Sequence, residues 1–456
     1  MIDSDSTYGR KAGGSAAVYD FVLDLKYADI PPDAVRFAKR CLLDLIGVAA
    51  GGSCTHLSRI IRQHACESFA AGAKRSSLLF DGRFASPVGA ALANAMTIDS
   101  LDAHDGHKLT KGHVGCGVLP ALLAYTEAEG QADPEEFLTS LIIGYEIGTR
   151  AGIALHRTAS DYHTSGAWIA IACAALGARA LQLDVATTRE AVGIAEYHGP
   201  RSQMMRCIDH PTMVKDGSGW GAMAGVSAAY LAAAGFTGAP AVTIENAELS
   251  DVWSDLGQNW RIFEQYFKLY PVCRWAQPAV EAVMSLQRAH QLDADDIDHV
   301  EIETFHEGKR LHTPRPSSTE EAQYSLPFPT AAALVHGRLG PGEISGRALS
   351  DPRVLRLSDS MILTENDMYN SAFPARRFAH ATISMKDGRR YVSGATEALG
   401  DPESHLSEDI IRSKYLDLAG PVLGLDQCRR IESAIMDFSD PAAVLTLINA
   451  PAAPNV

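Results

Sequence analysis

The chain has 456 residues, of which 46% are hydrophobic and 21% are charged, and its formal net charge is −15. This length exceeds what one hydrophobic core usually fills, so two domains are expected, and the composition is that of a globular protein rather than a disordered or fibrous one. The negative charge excludes a general nucleic-acid binder, because no overall positive field attracts phosphate, whereas a small anion responds to a few cations inside a pocket.

Cysteine usage and apolar segments indicate the setting of the protein. The eight cysteines are scattered, with no C-x-x-C pair that would suggest a zinc or redox site. The first residues lack the apolar segment of a signal peptide, which favours a reducing, cytoplasmic setting. The longest apolar run, residues 167–181, contains Arg179 and predicts a buried helix, so no membrane segment is expected.

Helical spacing of apolar residues dominates the first half of the chain. Residues 18–51 carry one apolar face after the start signal Pro31-Pro32-Asp33. Further helices are predicted over residues 87–98, 117–129, 133–154, 165–183, 187–196 and 218–235. The runs 165–180 and 218–234 are rich in Ala and Gly on every face, which predicts helices packed on all sides in the middle of a bundle.

The pattern changes after Pro271. A helix over 277–290 precedes strict alternation over 299–305, which predicts a strand with one solvated face. A second strand is predicted near 360–364, and a helix over 329–336. Segments 379–385 and 389–393 flank Asp387-Gly388, which predicts a hairpin.

Helical patterns return from Ser407 onward, at 410–418, 428–436 and 442–448. The predicted fold is therefore mainly α with an α+β lid. Residues 1–268 and 399–456 are expected to form one large all-helical domain built from both chain ends, and residues 269–398 a smaller inserted α+β domain.

Acids, imidazoles and lysines concentrate between Asp99 and His113, just before an apolar helix. Titratable groups at a helix entrance are well placed to bind an anion, although a solvated loop with an Asp cap is an equally simple interpretation. Side chains suited to zinc or iron also occur here, namely those of Asp102, His104, Asp105, His107 and His113. Their spacing matches no established metal motif, so no metal is expected.

Three further residues stand out in apolar or small-residue surroundings. His163 and Lys215 each precede one of the Ala/Gly-rich helices, and Lys268 lies at the predicted domain boundary. Motifs for a nucleotide phosphate, a dinucleotide fold or a serine nucleophile are absent from the sequence, which argues against kinase, hydride-transfer and serine-hydrolase functions.

Several short motifs then occur in one order over nearly the whole chain. They are Asp102-Ala103-His104-Asp105-Gly106 with Gly112-His113, residues 119–124, Lys215 ahead of Gly225, residues 234–238, residues 268–275, residues 325–328 and the helical tail. On these motifs the sequence resembles the MmgE/PrpD family, whose members include 2-methylcitrate dehydratase, cis-aconitate decarboxylase and iminodisuccinate epimerase. The resemblance implies the domain layout above, a homodimer, and a pocket between the domains that needs no metal or organic cofactor.

Carried over by position, the resemblance implies specific pocket residues. The catalytic candidates are Asp102, His113, His163, Lys215 and Lys268. The substrate-binding candidates are His104, His107, Lys111, Cys273 and Arg274. We assign the two catalytic lysines to substrate carboxylates with His163 assisting, and proton transfer to His113 and Asp102, with His104 or His107 as alternatives.

Two positions depart from the pattern of many family members. Gly106 stands where they have Thr or Ser in Asp-Phe-Asp-Asp-Thr/Ser, and His104 replaces a carboxylate in the same motif. Cys273 stands where they have His, five residues after the lysine. These departures bear on the identity of the substrate and the reaction subtype.

The expected function is that of a cofactor-free, dehydratase-like lyase. It would remove a proton next to a carboxylate of a small di- or tricarboxylic acid and then eliminate. A decarboxylase or epimerase of the same substrate class, a non-catalytic anion-binding homologue and a metal-dependent hydrolase are the alternatives. The expected partners are a small polycarboxylate and a second copy of the chain, with neither nucleic acid nor membrane.

Overall fold

A computed structural model describes residues 13–404 and 406–451. Most of these residues are helical, and the strands form small sheets, so the prediction of a mainly α protein with some β structure is confirmed. The helices before residue 260 are Gly13–Asp24, Pro32–Gly52, His56–Ser68, Pro87–Asp99, Gly115–Ala128, Pro134–Thr158, Gly166–Ala180, Val185–His198, Met205–Asp209, Ser218–Ala233, Val242–Glu245 and Ser250–Trp253.

Local capping explains where many of these helices begin. Pro32 occupies the first turn of its helix, and the Asp133 carboxylate accepts hydrogen bonds from the first backbone amides of Pro134–Thr158. Residues 18–51, predicted as one pattern, form two helices that are separated before this proline. The helix His56–Ser68 was not predicted from the sequence. Thr55 caps it, but its buried face is narrow and is surrounded by charged residues.

Two small-residue helices form the centre of the helical region. Gly166–Ala180 is buried along almost its whole length and packs against Ser218–Ala233. A Cβ on Gly221 would meet the Gly166 backbone, so glycine permits this close approach. The prediction that Ser218–Ala233 is packed on all sides is wrong, because one face exposes Trp220 and Leu231. Alanine and glycine carry little apolar area, so their abundance does not specify which face is covered.

A second hydrophobic core follows residue 271. Its helices are Gln277–His290, His306–Lys309, Thr319–Gln323, Pro327–His336, Pro352–Asp359 and Asp367–Ala372, and its sheet contains Ile297–Thr304, Ile362–Glu365, Phe378–Met385, Arg390–Val392 and Thr396–Glu397. Ile297–Thr304 pairs in parallel with Ile362–Glu365 and antiparallel with Phe378–Met385. Its alternating burial confirms the predicted strand with one solvated face.

The predicted hairpin is also present. Phe378–Met385 pairs antiparallel with Arg390–Val392, and Gly388 adopts φ +90° in the turn between them. Two further pairs of short strands lie among the helices of the first part. They are Ser76–Ser77 with Phe84–Ala85, and Gly106–His107 with Gln265–Tyr266.

The C-terminal helices return to the first core. They are Glu408–Leu423, Leu425–Asp437 and Pro441–Asn449. Glu408–Leu423 packs on Pro32–Gly52, and Ile411 and Tyr415 are buried in the same cluster as the N-terminal helices. This packing is what a domain built from both chain ends requires, and the predicted domain boundaries themselves stay predictions.

No single helix in the described part of the chain is long and apolar enough to cross a membrane. Pro32–Gly52 and His56–Ser68 meet that criterion only as a pair, and the chain bends by 92° between them.

Candidate active site

The polar segment between Pro87–Asp99 and Gly115–Ala128 is buried. Asp99, His104 and Asp105 are fully inaccessible, and Asp102 and His113 are 2% and 6% exposed. The interpretation of this segment as a solvated loop is therefore wrong. Sequence alone could not show this, because the groups that cover the segment come from distant parts of the chain.

Three of the seven non-glycine residues with positive φ among the described residues lie in or beside this segment. Asp102, Lys111 and Lys215 are non-glycine residues with φ of 52°, 53° and 50°. The left-handed conformation costs an L-residue roughly 1–2 kcal/mol, and such residues cluster at functional sites, where the surroundings hold them in place. Three strained residues that also carry charged side chains therefore mark a candidate active site.

Asp102 and Lys268 form its central ion pair. Lys268 Nζ donates to Asp102 Oδ1 at 2.6 Å and to the Asp102 backbone oxygen at 3.0 Å. Burial raises the pKa of Asp102, but attraction to Lys268 and Lys215 outweighs it, so this pKa lies below its ordinary value. Asp102 is therefore a carboxylate, and its second oxygen, Oδ2, has no hydrogen-bond partner among the described residues.

Two imidazoles lie beside this pair. The ring centroids of His104 and His113 are 4.3 Å apart. His113 Nδ1 lies 2.5 Å from the Asp105 backbone oxygen, which can only accept, so Nδ1 carries the proton and Nε2 holds the free lone pair. Burial, followed by the charge of Lys268, lowers the pKa of His113 to about 3, and burial also holds that of His104 well below its usual range. Both rings are neutral.

Three more carboxyl groups surround the imidazoles. Burial raises the pKa of Asp99 and of Asp105 to about 7, and it also raises that of Asp216. The Ser165 hydroxyl donates to Asp216 Oδ2 at 2.8 Å and accepts from the His113 backbone amide at 2.9 Å. This shared hydroxyl fixes His113 relative to the entrance of Gly166–Ala180.

Lys215 approaches the site from the other central helix. It is 1% exposed, and its Nζ donates to Gln323 Oε1 and lies 4.7 Å from the centre of the Tyr324 ring. The Gln323 amide donates in turn to the Ser100 backbone oxygen at 2.9 Å. Gln323 therefore links Lys215 to the polar segment that carries Asp102.

A small cavity opens onto several of these groups. Its lining residues are Asp102, Lys111, His113, Met204, Asp216, Tyr266, Lys268, Cys273, Arg274, Trp275, Tyr324 and Arg377. Lys215 and His104 are not among these lining residues, and Lys215 lines a separate pocket. Sequence reasoning did not identify Asp216, Tyr266, Tyr324 or Arg377. Asp216 directly follows Lys215, and Tyr324 directly precedes the motif at residues 325–328. Their positions next to these family motifs are the sequence signal that could have identified both residues.

Some predicted site residues lie elsewhere. His107 Nε2 is 2.8 Å from Glu264 Oε2, in the strand pair beside the cavity, and His107 is not one of the lining residues. His163 also lies outside the lining, and its Nε2 is 3.3 Å from Asp161 Oδ1. Arg274 lines the cavity, but its guanidinium is held by Asp401 Oδ1 at 2.5 Å. The roles predicted for these residues stay predictions.

The two departures from the family pattern lie at the cavity. A Cβ on Gly106 would come within 2.5 Å of the Tyr266 hydroxyl and 2.7 Å of His113 Nδ1, so this arrangement of the two rings leaves no space for Thr or Ser. Burial raises the pKa of the Cys273 thiol to about 12, so the thiol is neutral. Cys273 therefore offers the substrate a small uncharged surface where many members place an imidazole.

One set of side chains has the composition of a metal site. Ligand atoms of Asp102, His104 and His113 lie within 4.8 Å of one another. Two imidazoles and a carboxylate suit divalent transition metals. However, Lys268 already occupies one Asp102 oxygen, and its charge opposes a cation. The same groups can instead transfer protons and bind an anion, which the neighbouring cations favour.

Comparison with known proteins places the whole chain in one family. The chain is 24% identical to the cis-aconitate decarboxylase-like protein oryM of Aspergillus oryzae, over 98% of each chain. It is also 24% identical to a cis-aconitate decarboxylase of Aspergillus terreus, over 99% of each chain. The MmgE/PrpD N-terminal domain matches residues 17–259, and the MmgE/PrpD C-terminal domain matches residues 270–440, which cross the predicted boundary at 398/399. The chain therefore belongs to the MmgE/PrpD family.

Proposed function

We propose that this protein is a lyase that removes a proton next to a carboxylate of a small di- or tricarboxylic acid, without a metal or organic cofactor. The observation that carries the proposal is a neutral imidazole, His113, in a cavity that also presents Lys111, Lys268 and Arg377. A carbon acid beside a carboxylate is very weak. Its deprotonation therefore needs both a base and cations that stabilise the new negative charge.

His113 is our candidate base. Its Nδ1 proton is held by the Asp105 carbonyl, so Nε2 is the atom that can accept a proton. Burial and nearby positive charge keep the His113 ring neutral. A bound polycarboxylate would add negative charge beside the ring, which raises the pKa of His113 and strengthens it as a base when substrate is present.

Lys268 and Lys215 are assigned to the substrate carboxylate next to the reacting carbon. Both ammonium groups are buried, where their interaction with an anion is stronger than in water. Asp102 positions Lys268 through the 2.6 Å contact and retains one free oxygen. The Tyr324 phenol stays protonated because burial raises its pKa, so it can donate a hydrogen bond to the substrate.

The reaction subtype follows from the fate of the electron pair on carbon. After proton removal, loss of hydroxide from the neighbouring carbon gives a dehydratase, and reprotonation on the opposite face gives an epimerase. A decarboxylase instead adds a proton, because loss of carbon dioxide leaves an electron pair on carbon that must be protonated. We retain dehydration as the leading proposal. Decarboxylation is the second candidate, because relatives that match nearly the whole chain are named cis-aconitate decarboxylase or cis-aconitate decarboxylase-like.

Deuterium exchange tests this proposal directly. Chelator-treated protein is incubated in deuterated water with citrate-, aconitate-, succinate- and malate-like acids, and exchange and products are followed by NMR. We expect exchange or conversion of one acid by the wild type, retained in His299→Gln, which alters a half-exposed strand histidine. His113→Gln should lose at least a hundredfold in rate.

Other outcomes favour the alternatives. Activity that appears only after metal is added would replace the proposal with a metal-dependent mechanism at Asp102, His104 and His113. Binding of an acid without exchange or conversion would favour a non-catalytic anion-binding protein. The proposed homodimer is tested separately, by sedimentation of the purified chain.

A further inference from the structure

Arg377 is a buried cation with unused hydrogen-bonding capacity. It lies just before strand Phe378–Met385 and lines the cavity with Asp102 and His113. Its side chain is only 3% exposed, and its Nε and Nη1 have no hydrogen-bond partner within the described ranges. Nη2 donates to the Lys108 backbone oxygen at 3.2 Å. Because buried polar groups are normally satisfied, these free donors at the cavity are available to a ligand.

A second cation lines the same cavity. Lys111 Nζ lies 4.1 Å from the centre of the Tyr162 ring, and Lys111 has the left-handed backbone noted above. Burial, followed by the charge of Arg377, lowers the pKa of Lys111 to about 8, as expected for two nearby cations with too little negative charge around them.

The contrast with the other cations of the cavity is informative. Lys268 is paired with Asp102, and Arg274 is paired with Asp401. Lys111 and Arg377 form no ion pair with any carboxylate in the described part of the chain. These two side chains are therefore available to an anion from solution.

We propose that Arg377, with Lys111 beside it, forms a second subsite that binds the substrate carboxylate remote from the reacting carbon. This inference rests on the proposed function, and it assigns the second carboxylate of the di- or tricarboxylic acid to named residues. The planar guanidinium still has N–H groups on Nη1 and Nη2, which together match the two oxygens of a carboxylate.

A purely structural role is the competing explanation. Through the Lys108 carbonyl, Arg377 also fastens the segment that leads to His113. A residue with only that role would affect folding and would weaken the binding of all ligands alike. A subsite residue instead changes the preference between a carboxylate and an uncharged group of the same shape.

The test compares two probes, succinate and succinamate; in succinamate one carboxylate is replaced by a carboxamide. Dissociation constants are measured by calorimetry for wild type, Arg377→Gln, Arg377→Lys and the control Arg376→Gln. Arg376 is the adjacent arginine, and it pairs with Glu397 with 57% of its side chain exposed. Arg376→Gln should therefore bind both probes as the wild type does.

We expect the wild type to prefer succinate, and Arg377→Gln to weaken succinate binding about 10- to 100-fold while succinamate binding changes less than threefold. Arg377→Lys keeps the charge but loses the planar donor group, so its affinity for succinate should lie between those of the wild type and Arg377→Gln. If Arg377→Gln does not fold, Arg377→Lys replaces it in the test. Equal affinity of the wild type for both probes, or an unchanged preference in Arg377→Gln, would overturn the subsite.

These results are distinguishable from those of the exchange assay. If the wild type exchanges no proton but shows an Arg377-dependent preference for succinate, the subsite proposal stands and the proposed lyase activity is wrong. If the wild type is active but its preference for succinate persists in Arg377→Gln, the lyase proposal stands and the subsite proposal is wrong.

Discussion

Replacement of Lys268 by methionine provides the sharpest test of the central ion pair. Lys268 and Asp102 have side chains that are 1% and 3% exposed, and the substitution leaves the Asp102 carboxylate buried without its partner. Breaking a buried pair from one side costs about 3–5 kcal/mol, much more than the pair contributes relative to apolar residues. We therefore expect Lys268→Met to lower the free energy of unfolding at pH 7 by about this amount.

Two further variants isolate the physical cause. In Lys268→Met/Asp102→Asn the uncompensated charge is gone, so part of the lost stability should return. The control Lys309→Met breaks an exposed pair with Glu365, whose charged atoms are 3.4 Å apart, and should cost less than about 1 kcal/mol. Urea denaturation followed by circular dichroism measures all three variants.

The pH dependence provides an independent check. In the wild type the pKa of Asp102 is lowered, so its contribution to stability is present above its unfolded value and is lost as the pH falls through its folded value. The pKa of Lys268 is raised by Asp102 against the effect of burial, so its contribution is lost only when the pH rises through that high value. Without Lys268, burial should raise the pKa of Asp102, so acidification stabilises the variant while it destabilises the wild type. The difference in their free energies of unfolding should therefore become smaller at low pH. A difference below about 1 kcal/mol at pH 7, or one that does not change with pH, would refute this reasoning.

Four other predictions follow from the site. Gly106→Thr should lower kcat/KM more than tenfold, and more than Gly106→Ala, because the added atoms displace His113 and Tyr266. Lys215→Ala should also lower kcat/KM more than tenfold, and steady-state kinetics checks all of these variants. Burial raises the pKa of Asp105 to about 7, so the folded protein binds this proton more tightly than the unfolded protein does. The contribution of Asp105 to the free energy of unfolding should therefore fall by about 1.4 kcal/mol per pH unit between pH 5 and 7. Asp105→Asn should reduce this slope, as measured by urea denaturation at several pH values. Dialysis against a chelator should leave kcat within about twofold, and a larger loss that zinc restores would contradict the cofactor-free mechanism.

Much of the fold was predictable because its signals are local. The helix predicted over 277–290 is found as Gln277–His290, and the strand predicted over 299–305 is found as Ile297–Thr304. Apolar periodicity, caps and the Asp-Gly turn lie within a few residues of the elements they specify. The outer face of Ser218–Ala233 was mispredicted because burial of an Ala/Gly-rich helix depends on its neighbours rather than on its own sequence.

The candidate site was less predictable because its contacts are long-range. Asp102 and Lys268 are 166 positions apart, and no spacing rule joins them. Arg376 and Arg377 are adjacent in sequence, yet one is exposed and the other is buried. The signal that could have separated them is the alternation of the next strand, where Ala379, Ala381 and Ile383 are buried, so that position 377 continues the inward series.

The C-terminal return of the chain also contributes to the site. Lys414 lies in Glu408–Leu423, and its Nζ donates to Asp44 Oδ1 at 2.5 Å and to the Ala103 backbone oxygen at 2.6 Å. Ala103 stands between Asp102 and His104, so this one ammonium group joins a C-terminal helix, an N-terminal helix and the strained polar segment. A buried lysine is costly unless its charge is paired and hydrogen-bonded, and Asp44 and the Ala103 carbonyl meet that need. The same two contacts tie both chain ends to the backbone beside Asp102, which links the topology of the chain ends to the chemistry of the cavity.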